Sequence, residues 1–274
     1  MPKRKFLPVA LTIAGSDSGG GAGIQADLKT FAALGVHGAS AIACLTAQNP
    51  KRVLAVEPCS PEMLRQQIEA VFEELQPTAV KTGMLCLAGN VRVVAEFFKK
   101  RKCPLVVDPL MISTSGAKLI EPEAIKILQE KLLPLATLVT PNIDEAEIMT
   151  GQKIASVEEM REVARKIRSR FGCAALVKGG HLQNAREAVD IFFDGKTELL
   201  LNAPFVKGVR THGTGCTYSA AICAALALGN NLPHAVKIGK KFVTAVISNS
   251  YRIGNHFALN HFQTTRACIT RVRH

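Results

Sequence analysis

Short, continuously apolar segments alternate with helical patterns along most of this chain, and this alternation constrains the fold more than any other feature. Continuously apolar strands are typical of parallel sheets that are covered on both faces. The predicted strands are 8–14, 39–46, 79–82, 104–107, 137–140 and 174–178. The predicted helices are 62–75, 90–101, 122–132, 143–150, 157–171, 215–228 and 234–251. We therefore predict an α/β fold in which a mostly parallel sheet lies between two layers of helices.

One edge of the sheet is expected to be an antiparallel hairpin. The segments 188–193 and 198–202 flank Asp194 and Gly195, a dipeptide that favours a tight turn between strands. The sequence contains no internal repeat, low-complexity segment or linker, so a single domain over 1–274 is the simplest organisation. We expect its core to span about 8–262 and the last residues, 263–274, to form a loose tail.

The formal net charge of +12 raises the question of nucleic-acid binding. The basic residues are concentrated at the two ends and at 99–102, they are not interleaved with aromatic residues, and the chain has no Trp. Nucleic-acid binding is therefore not expected, and a positive field that attracts anionic substrates is the simpler explanation. No apolar run reaches the length of about eighteen residues that a membrane span requires. We expect no membrane association.

The eight cysteines do not follow the spacing of a zinc site or a disulfide framework. None forms a Cys-x-x-Cys pair, and several lie within apolar runs. The apolar run 6–14 leads into a Gly-rich turn without the cleavage site of a signal peptide. These features predict a reducing, cytoplasmic location.

Polar or Gly-rich segments follow the predicted strands. In open α/β sheets, ligands bind beyond the carboxyl ends of the strands. The segments at these ends are 15–23, 46–49, 82–84, 108–111, 140–145, 178–181 and 211–217. Because seven such segments converging on one edge are difficult to explain by packing alone, we predict that the functional site lies at this edge.

The segment GSDSGGGAG (15–23) follows a strand and begins a helix, as phosphate-binding loops do. It does not match the P-loop, because Gly21 occupies the position where that motif requires Lys. A dinucleotide-binding reading is also weak, since the second strand ends at Thr46 and Gln48 without an acidic residue to hold a ribose. Two interpretations remain: a turn that needs glycine for its backbone angles, or a loop that lets a flat substrate approach the backbone closely.

The segment THGTGCT (211–217) precedes an Ala-rich helical pattern. Free backbone N–H groups at a helix N-terminus, together with the helix dipole, favour an anion such as a phosphoryl group. Cys216 would then lie in the first turn, where a thiolate is favoured and the pKa of the thiol is expected to be lowered. The alternative is a small buried residue in a capping turn.

Asn142 and Glu145 begin a predicted helix, and Asp108 ends another predicted strand. The two carboxylates could hold Mg²⁺ directly or through water. Glu145 could equally cap its helix and complement the helix dipole. Lys178 could reach a phosphate from its strand end, or could be a solvated surface residue.

Together these segments resemble the ribokinase-like superfamily and, within it, the hydroxymethylpyrimidine/phosphomethylpyrimidine kinase family. The resemblance extends over about 10–262. The segments that carry it are AGSDSGGGAGIQADLKT (14–30), AQN (47–49), VDPLM (107–111), TPNIDEA (140–146), KGGH (178–181) and HGTGCT (212–217). It implies a three-layer α/β/α sandwich and ATP-dependent, Mg²⁺-dependent phosphorylation of a pyrimidine in thiamine biosynthesis. It also implies a homodimer.

The resemblance further implies roles for individual residues. The catalytic anion hole would consist of Gly213, Thr214, Gly215 and Cys216, with Cys216 where sugar-kinase relatives place an Asp base. Asp108 and Glu145 would bind the metal, and Lys178, Asn142 and Thr211 the nucleotide. Gln48, Asp27, Gly15 and Met84 would surround the pyrimidine. A Gln amide can meet the adjacent donor and acceptor of an aminopyrimidine edge, and a Met side chain can supply an apolar wall.

Two other functions are compatible with these motifs. Pyridoxal or pyridoxine kinases share the fold and, in some lineages, the cysteine-containing anion hole. A non-catalytic regulator that binds pyrimidine or nucleotide could use the same scaffold, although the presence of Asp108, Glu145, Lys178 and Cys216 together favours an enzyme. The C-terminal segment NHFALNHF (255–262) departs from the family pattern, which leaves the packing over adenine open.

Overall fold

The computed structural model describes residues 7–111, 121–180, 182, 187–206 and 212–262. Thr211 and the predicted tail 263–274 lie outside these ranges. The described strands form a nine-stranded mixed sheet in the order β3-β2-β1-β4-β5-β6-β7-β8-β9, with a separate two-stranded hairpin. The strand bounds are β1 Val9–Asp17, β2 His37–Asn49, β3 Arg52–Pro58, β4 Ala79–Thr82, β5 Leu105–Val107, β6 Leu138–Val139, β7 Ala174–Lys178, β8 Glu187–Phe193, β9 Glu198–Pro204, β10 Tyr251–Ile253 and β11 His256–Ala258.

Eight α-helices cover the sheet in the part of the chain that the structure describes. Their bounds are α1 Gly23–Ala33, α2 Pro61–Glu74, α3 Ala88–Lys99, α4 Pro122–Ile127, α5 Ile143–Thr150, α6 Val157–Phe171, α7 Thr214–Ala227 and α8 Leu232–Ser248. The predicted helix 122–132 continues from α4 as a π-helical turn, Leu128–Leu132, and a 3₁₀ turn, Leu133–Leu135. Among the described helices, none combines the length and the apolar character that crossing a membrane would require.

The sheet divides the core into two layers. Along β1, Leu11 and Ile13 point into a cluster with residues of α2 to α6, whereas Ala10 points into a cluster with α1, α7 and α8. This alternation follows from the two-residue period of a strand. The continuously apolar sequence of the strands is thus explained by helices on both faces, and the predicted three-layer α/β/α sandwich is confirmed.

Strands β2, β1, β4, β5, β6 and β7 are parallel, and β8 and β9 form the predicted antiparallel hairpin at one edge. The opposite edge was not predicted. There, β3 returns antiparallel to β2 after a turn in which Asn49 Oδ1 accepts hydrogen bonds from the amides of Lys51 and Arg52. Strand β3 lacks a buried side, since Val53 and Leu54 are both exposed. Its sequence therefore shows no alternation, although Asn49-Pro50 is a turn signal.

A buried ion pair lies between β4 and α1. Lys81 Nζ is 2.7 and 2.8 Å from the two carboxylate oxygens of Asp27, and one of these oxygens also accepts a hydrogen bond of 2.6 Å from Thr12 Oγ1. Both charged side chains are 0% exposed. Burial opposes the charge on Lys81, but the adjacent Asp27 carboxylate outweighs it and raises the pKa of the Lys81 ammonium above its ordinary value. The pair fixes α1 against the carboxyl end of β4.

Candidate active site

The polar segments at the strand ends meet at one edge of the sheet, as predicted, and form two adjoining groups. We call Gly15, Asp17, Gln48, Met84 and His212 the Gln48 corner. We call Asp108, Lys178, Ser219 and the loop 213–216 the Lys178 corner. The two corners adjoin because His212 and Gly213 are consecutive residues.

The Gly-rich loop 15–23 is organised by Asp17, whose role the sequence analysis did not identify. The Asp17 carboxylate accepts backbone hydrogen bonds from Gly19, Gly21 and Ala22 and lies 3.2 Å from His212 Nε2. Burial raises the pKa of Asp17, but the hydrogen bonds from His212, Ala22 and Gly19 outweigh it and hold the pKa below its ordinary value. The ionised carboxylate of Asp17 therefore fixes the backbone of the loop 15–23 through these hydrogen bonds.

Gly213 joins the Gly-rich loop to the N-terminus of α7. It is the N-cap of α7 and has a left-handed backbone conformation, with φ of 83°. A Cβ atom at this position would overlap the carbonyl oxygen of Gly21. Gly21 in turn packs against His212: a Cβ atom at Gly21 would lie 3.2 Å from the His212 ring. Glycine at 213 is thus required both by backbone angle and by the approach of the loop.

In the Lys178 corner, a buried carboxylate holds a lysine beside the helix N-terminus. Lys178 Nζ lies 3.1 Å from Asp108 Oδ1, while Ser219 Oγ donates to Asp108 Oδ2 over 3.1 Å. A Cβ at Gly215 would lie 3.2 Å from Lys178 Nζ. The ammonium and the first-turn amides of α7 therefore border the same space, which is the arrangement that binds a phosphoryl group.

Asn142 and Glu145 form the capping box of α5. The side chain of Asn142 accepts from the Glu145 amide, and Glu145 Oε2 accepts from the Asn142 amide at 2.9 Å. The other oxygen, Oε1, accepts from the Met111 amide. Burial, opposed by Lys178 and reinforced by Asp108, raises the pKa of Glu145 to about 7. Glu145 therefore caps α5, as one of the two predictions stated, and its charge also interacts with Lys178 and Asp108.

Cys216 lies in the first turn of α7, as expected, but the predicted lowering of its pKa is wrong. The side chain is buried against Ala22, Ala26 and Leu110. Burial raises the pKa of the thiol to about 11, although the Lys81 ammonium and a hydrogen bond from the Gly23 amide act in the opposite direction. In this apolar position, desolvation outweighs the helix N-terminus, and Cys216 is a neutral thiol near pH 7.

Of the four residues predicted to surround a pyrimidine, Gly15 and Met84 are neighbours, Gln48 lies on the adjacent strand end, and Asp27 is buried elsewhere. A Cβ at Gly15 would meet the Met84 side chain at 3.3 Å, and Gln48 lies on the neighbouring strand end, half buried, with its amide 2.8 Å from His212 Nε2. Asp27, by contrast, is fully buried and its carboxylate is occupied by Thr12 and Lys81. We correct its predicted role: it lies beneath the site and holds Lys81.

Several residues of the site were missed because their types are not diagnostic. The sequence pattern does not show which residues would contact Asp17, Lys81, His212 and Ser219. For His212 there was one signal, since it begins the motif HGTGCT (212–217). Thr214 begins α7, one residue before the predicted start at 215. The segment 255–262 supplies His261, whose Nε2 lies 3.0 Å from Thr217 Oγ1, so this segment packs against the first turns of α7.

This chain is similar in sequence and fold to known kinases. The family model for phosphomethylpyrimidine kinase matches residues 17–261. The hydroxymethylpyrimidine/phosphomethylpyrimidine kinase of Rhizobium meliloti is 50% identical over 246 residues, which cover 89% of this chain and 92% of that protein. The crystal structure of phosphomethylpyrimidine kinase from Clostridium difficile has a TM-score of 0.78 at 45% identity, covering 88% of this chain and 99% of that one.

A pyridoxal kinase is also similar in structure. The Staphylococcus aureus enzyme, solved in complex with AMP-PCP and pyridoxal, has a TM-score of 0.86 at 32% identity and covers 96% of each chain. The fold is thus shared by two kinds of vitamin kinase, whereas the family model and the curated relative above agree on one of them. On this basis the chain belongs to the phosphomethylpyrimidine kinase family.

Proposed function

We propose that this chain transfers the γ-phosphoryl group of ATP to 4-amino-5-hydroxymethyl-2-methylpyrimidine and then to its monophosphate, in thiamine biosynthesis. The observation that carries this proposal is the junction of the two corners: Gly213 packs on the Gly-rich loop, and Cys216 lies behind the point where the corners meet. A flat ring held in the Gln48 corner would direct its hydroxymethyl group toward a phosphoryl group in the Lys178 corner.

In this proposal the Lys178 corner binds the triphosphate. Lys178 and the amides of 213–216 would contact phosphate oxygens, while Asn142 and Thr211 would lie along the nucleotide. Asp108 and Glu145 suit Mg²⁺, because a magnesium–nucleotide site needs only one or two carboxylates beside phosphate and water ligands. The pKa of Glu145 is raised mainly by burial and in part by Asp108, and a nearby cation would favour the ionised form of the carboxylate against both effects. When bound, Mg²⁺ would neutralise charge on the phosphates.

The chemistry itself places modest demands on a base. Phosphoryl transfer proceeds through a loose transition state, so positioning and electrostatic stabilisation supply most of the rate. Gly213 to Cys216 amides would stabilise the developing charge. Cys216 would accept the hydroxymethyl proton only in its thiolate form. Lys81 would favour this form, because its ammonium lowers the pKa of the thiol.

An assay of ADP formation separates this enzyme from a non-catalytic binder. ADP release in the presence of Mg²⁺ should rise steeply when hydroxymethylpyrimidine is added, and should remain at the background rate without it. Pyrimidine binding without stimulated ADP release would contradict the proposal and favour the regulator.

Replacing Cys216 by alanine tests the base assignment. We expect kcat to fall on the order of 10²-fold, the usual contribution of a positioned base, with the Kd for ATP nearly unchanged. The thiol's pKa of about 11 adds a pH criterion. Because the deprotonated form is the active one, single-turnover rates of the unmodified enzyme should rise ~10-fold per pH unit between about pH 7 and 9. This slope should disappear in Cys216→Ala. Equal turnover in the variant, or a flat profile in the unmodified enzyme, would exclude Cys216 as the base.

Pyridoxal phosphorylation is the second candidate, supported by the structural similarity to the Staphylococcus aureus pyridoxal kinase. The homodimer and the cytoplasmic location also remain proposals. Exposed apolar side chains on the β2–β3 extension, Leu45, Val53, Leu54 and Val56, support a dimer. Sedimentation analysis should give twice the mass of 29.4 kDa, and Leu54→Lys should shift it toward the monomer.

A further inference from the structure

The amide of Gln48 lies between two anchors that the proposed reaction does not otherwise use. One end of the amide is 2.8 Å from His212 Nε2, and the other end is 3.1 Å from Thr46 Oγ1. The oxygen and nitrogen of an amide fill nearly the same space, so their hydrogen-bond partners decide which atom lies where. The orientation matters because it sets the order of donor and acceptor that Gln48 offers to a ligand.

His212 determines one end of the amide. His212 Nε2 also lies 3.2 Å from Asp17 Oδ2, and an ionised carboxylate can only accept hydrogen bonds. Nε2 therefore carries a hydrogen, whether the imidazole is neutral or protonated. With Nε2 of Gln48 at the 2.8 Å position, two donors would face each other. Rotating the amide by 180° places its oxygen there, and the single Nε2 hydrogen is then shared between this oxygen at 2.8 Å and the Asp17 carboxylate at 3.2 Å.

The contacts of Thr46 independently indicate the same orientation of the Gln48 amide. Its hydroxyl has one proton, and Oγ1 lies 2.9 Å from the carbonyl oxygen of Ser16, which can only accept. The proton therefore points to Ser16. An amide oxygen at the opposite position would place two acceptors 3.1 Å apart, whereas an amide NH₂ can donate to Thr46. Both anchors require the same orientation.

We propose that His212, held by Asp17, is a positioning residue that fixes the Gln48 amide with its oxygen toward His212 and its NH₂ toward Thr46, and thereby determines which pyrimidine the site accepts. This inference rests on the proposed function and extends it to specificity. Each end of the amide keeps one free hydrogen-bonding position: a lone pair on the oxygen and a hydrogen on the nitrogen. Gln48 therefore offers an adjacent acceptor and donor in a fixed order.

A 4-aminopyrimidine matches this order. Its exocyclic N–H donates to the amide oxygen, and ring N3 accepts from the amide nitrogen. The corresponding 4-oxo compound presents O4 as an acceptor and N3–H as a donor, which is the reverse order. An amide that can rotate would serve both compounds, whereas an amide held at both ends serves only the first.

The test compares kcat/KM for hydroxymethylpyrimidine with kcat/KM for its 4-oxo analogue. We expect the unmodified enzyme to prefer the amino compound on the order of 10²-fold or more, because the wrong order leaves polar groups unpaired. In His212→Ala this ratio should fall at least ~10-fold. His212→Gln, whose amide N–H can replace Nε2–H, should keep most of the ratio. A loosened loop would reduce turnover of both compounds together and would leave the ratio unchanged.

The outcomes distinguish this inference from the proposed function. If the unmodified enzyme phosphorylates the amino compound and the ratio is the same in His212→Ala, His212 does not orient Gln48. If the unmodified enzyme phosphorylates neither compound, the proposed function is wrong and this inference falls with it. Should His212→Ala fail to fold, Thr46→Val removes the anchor at the other end and should lower the ratio in the same way. An unchanged ratio in that variant would also overturn the inference.

Discussion

Gly213→Ala should abolish nearly all activity while the chain still folds. The new Cβ would overlap the Gly21 carbonyl oxygen, so either the Gly-rich loop or the N-terminus of α7 must move. A misplacement of about 1 Å costs ~10²-fold in rate, and displaced amide donors add to this loss, so we expect kcat to fall about 10³-fold. Steady-state kinetics with hydroxymethylpyrimidine would measure the fall.

Gly229→Ala is the matched control for this variant. Gly229 has φ of +87°, close to that of Gly213, but a Cβ there would have no neighbour within 4 Å. Both variants carry the conformational cost of about 1–2 kcal/mol for alanine in the left-handed region. Only Gly213→Ala should lose activity. Comparable kinetics in the two variants would contradict the close packing of the two loops as the basis of the site.

Lys81→Met should destabilise the protein by about 3–5 kcal/mol, because it leaves Asp27 as an unpaired charge in the core. Burial raises the pKa of Asp27 above its ordinary value. Lys81 lowers this pKa, so its removal raises the pKa of Asp27 further in the variant. The loss is therefore complete above the Asp27 pKa of the variant, and it diminishes as the pH falls through that pKa, since protonated Asp27 carries no charge. Urea unfolding at several pH values would measure the free energy of unfolding.

The double variant Asp27→Asn, Lys81→Met separates loss of the ion pair from loss of packing. It removes both charges with little change in volume, so it should recover most of the stability that Lys81→Met loses. A double variant no more stable than Lys81→Met would mean that Lys81 acts through packing alone. A single variant that loses less than about 1 kcal/mol would contradict the burial of an ionised Asp27.

The layers of the fold could be predicted because each depends on local patterns. Strands β4 and β7 and helices α5 and α6 begin and end as expected. Their ends could be predicted because the apolar run of a strand, or the apolar stripe of a helix, stops where the element stops. Strand β3 and the hairpin β10–β11 were missed. Both are short or exposed, and the structure places polar and apolar side chains of β3 alike in solvent, so no periodicity marks them.

The sequence could predict where the site lies, but not the protonation and burial of its residues. Convergence of strand ends places Asp108 near Lys178, and the order of the motifs follows from the parallel sheet. The burial of individual side chains could not be predicted from the sequence. Burial reverses the expected pKa shift of Cys216, and Asp27 is buried beneath the site. Contacts over long separations, such as Asp17 with His212, depend on the folded loops.

The most direct measurement is the identity of the phosphorylated products. The purified protein would be incubated with ATP, Mg²⁺ and, separately, hydroxymethylpyrimidine, its monophosphate or pyridoxal, and the products identified by mass spectrometry. We predict both the mono- and the diphosphate from hydroxymethylpyrimidine, and the diphosphate from the monophosphate. Phosphorylation of pyridoxal alone, or no phosphorylated product from any of the three, would contradict the account.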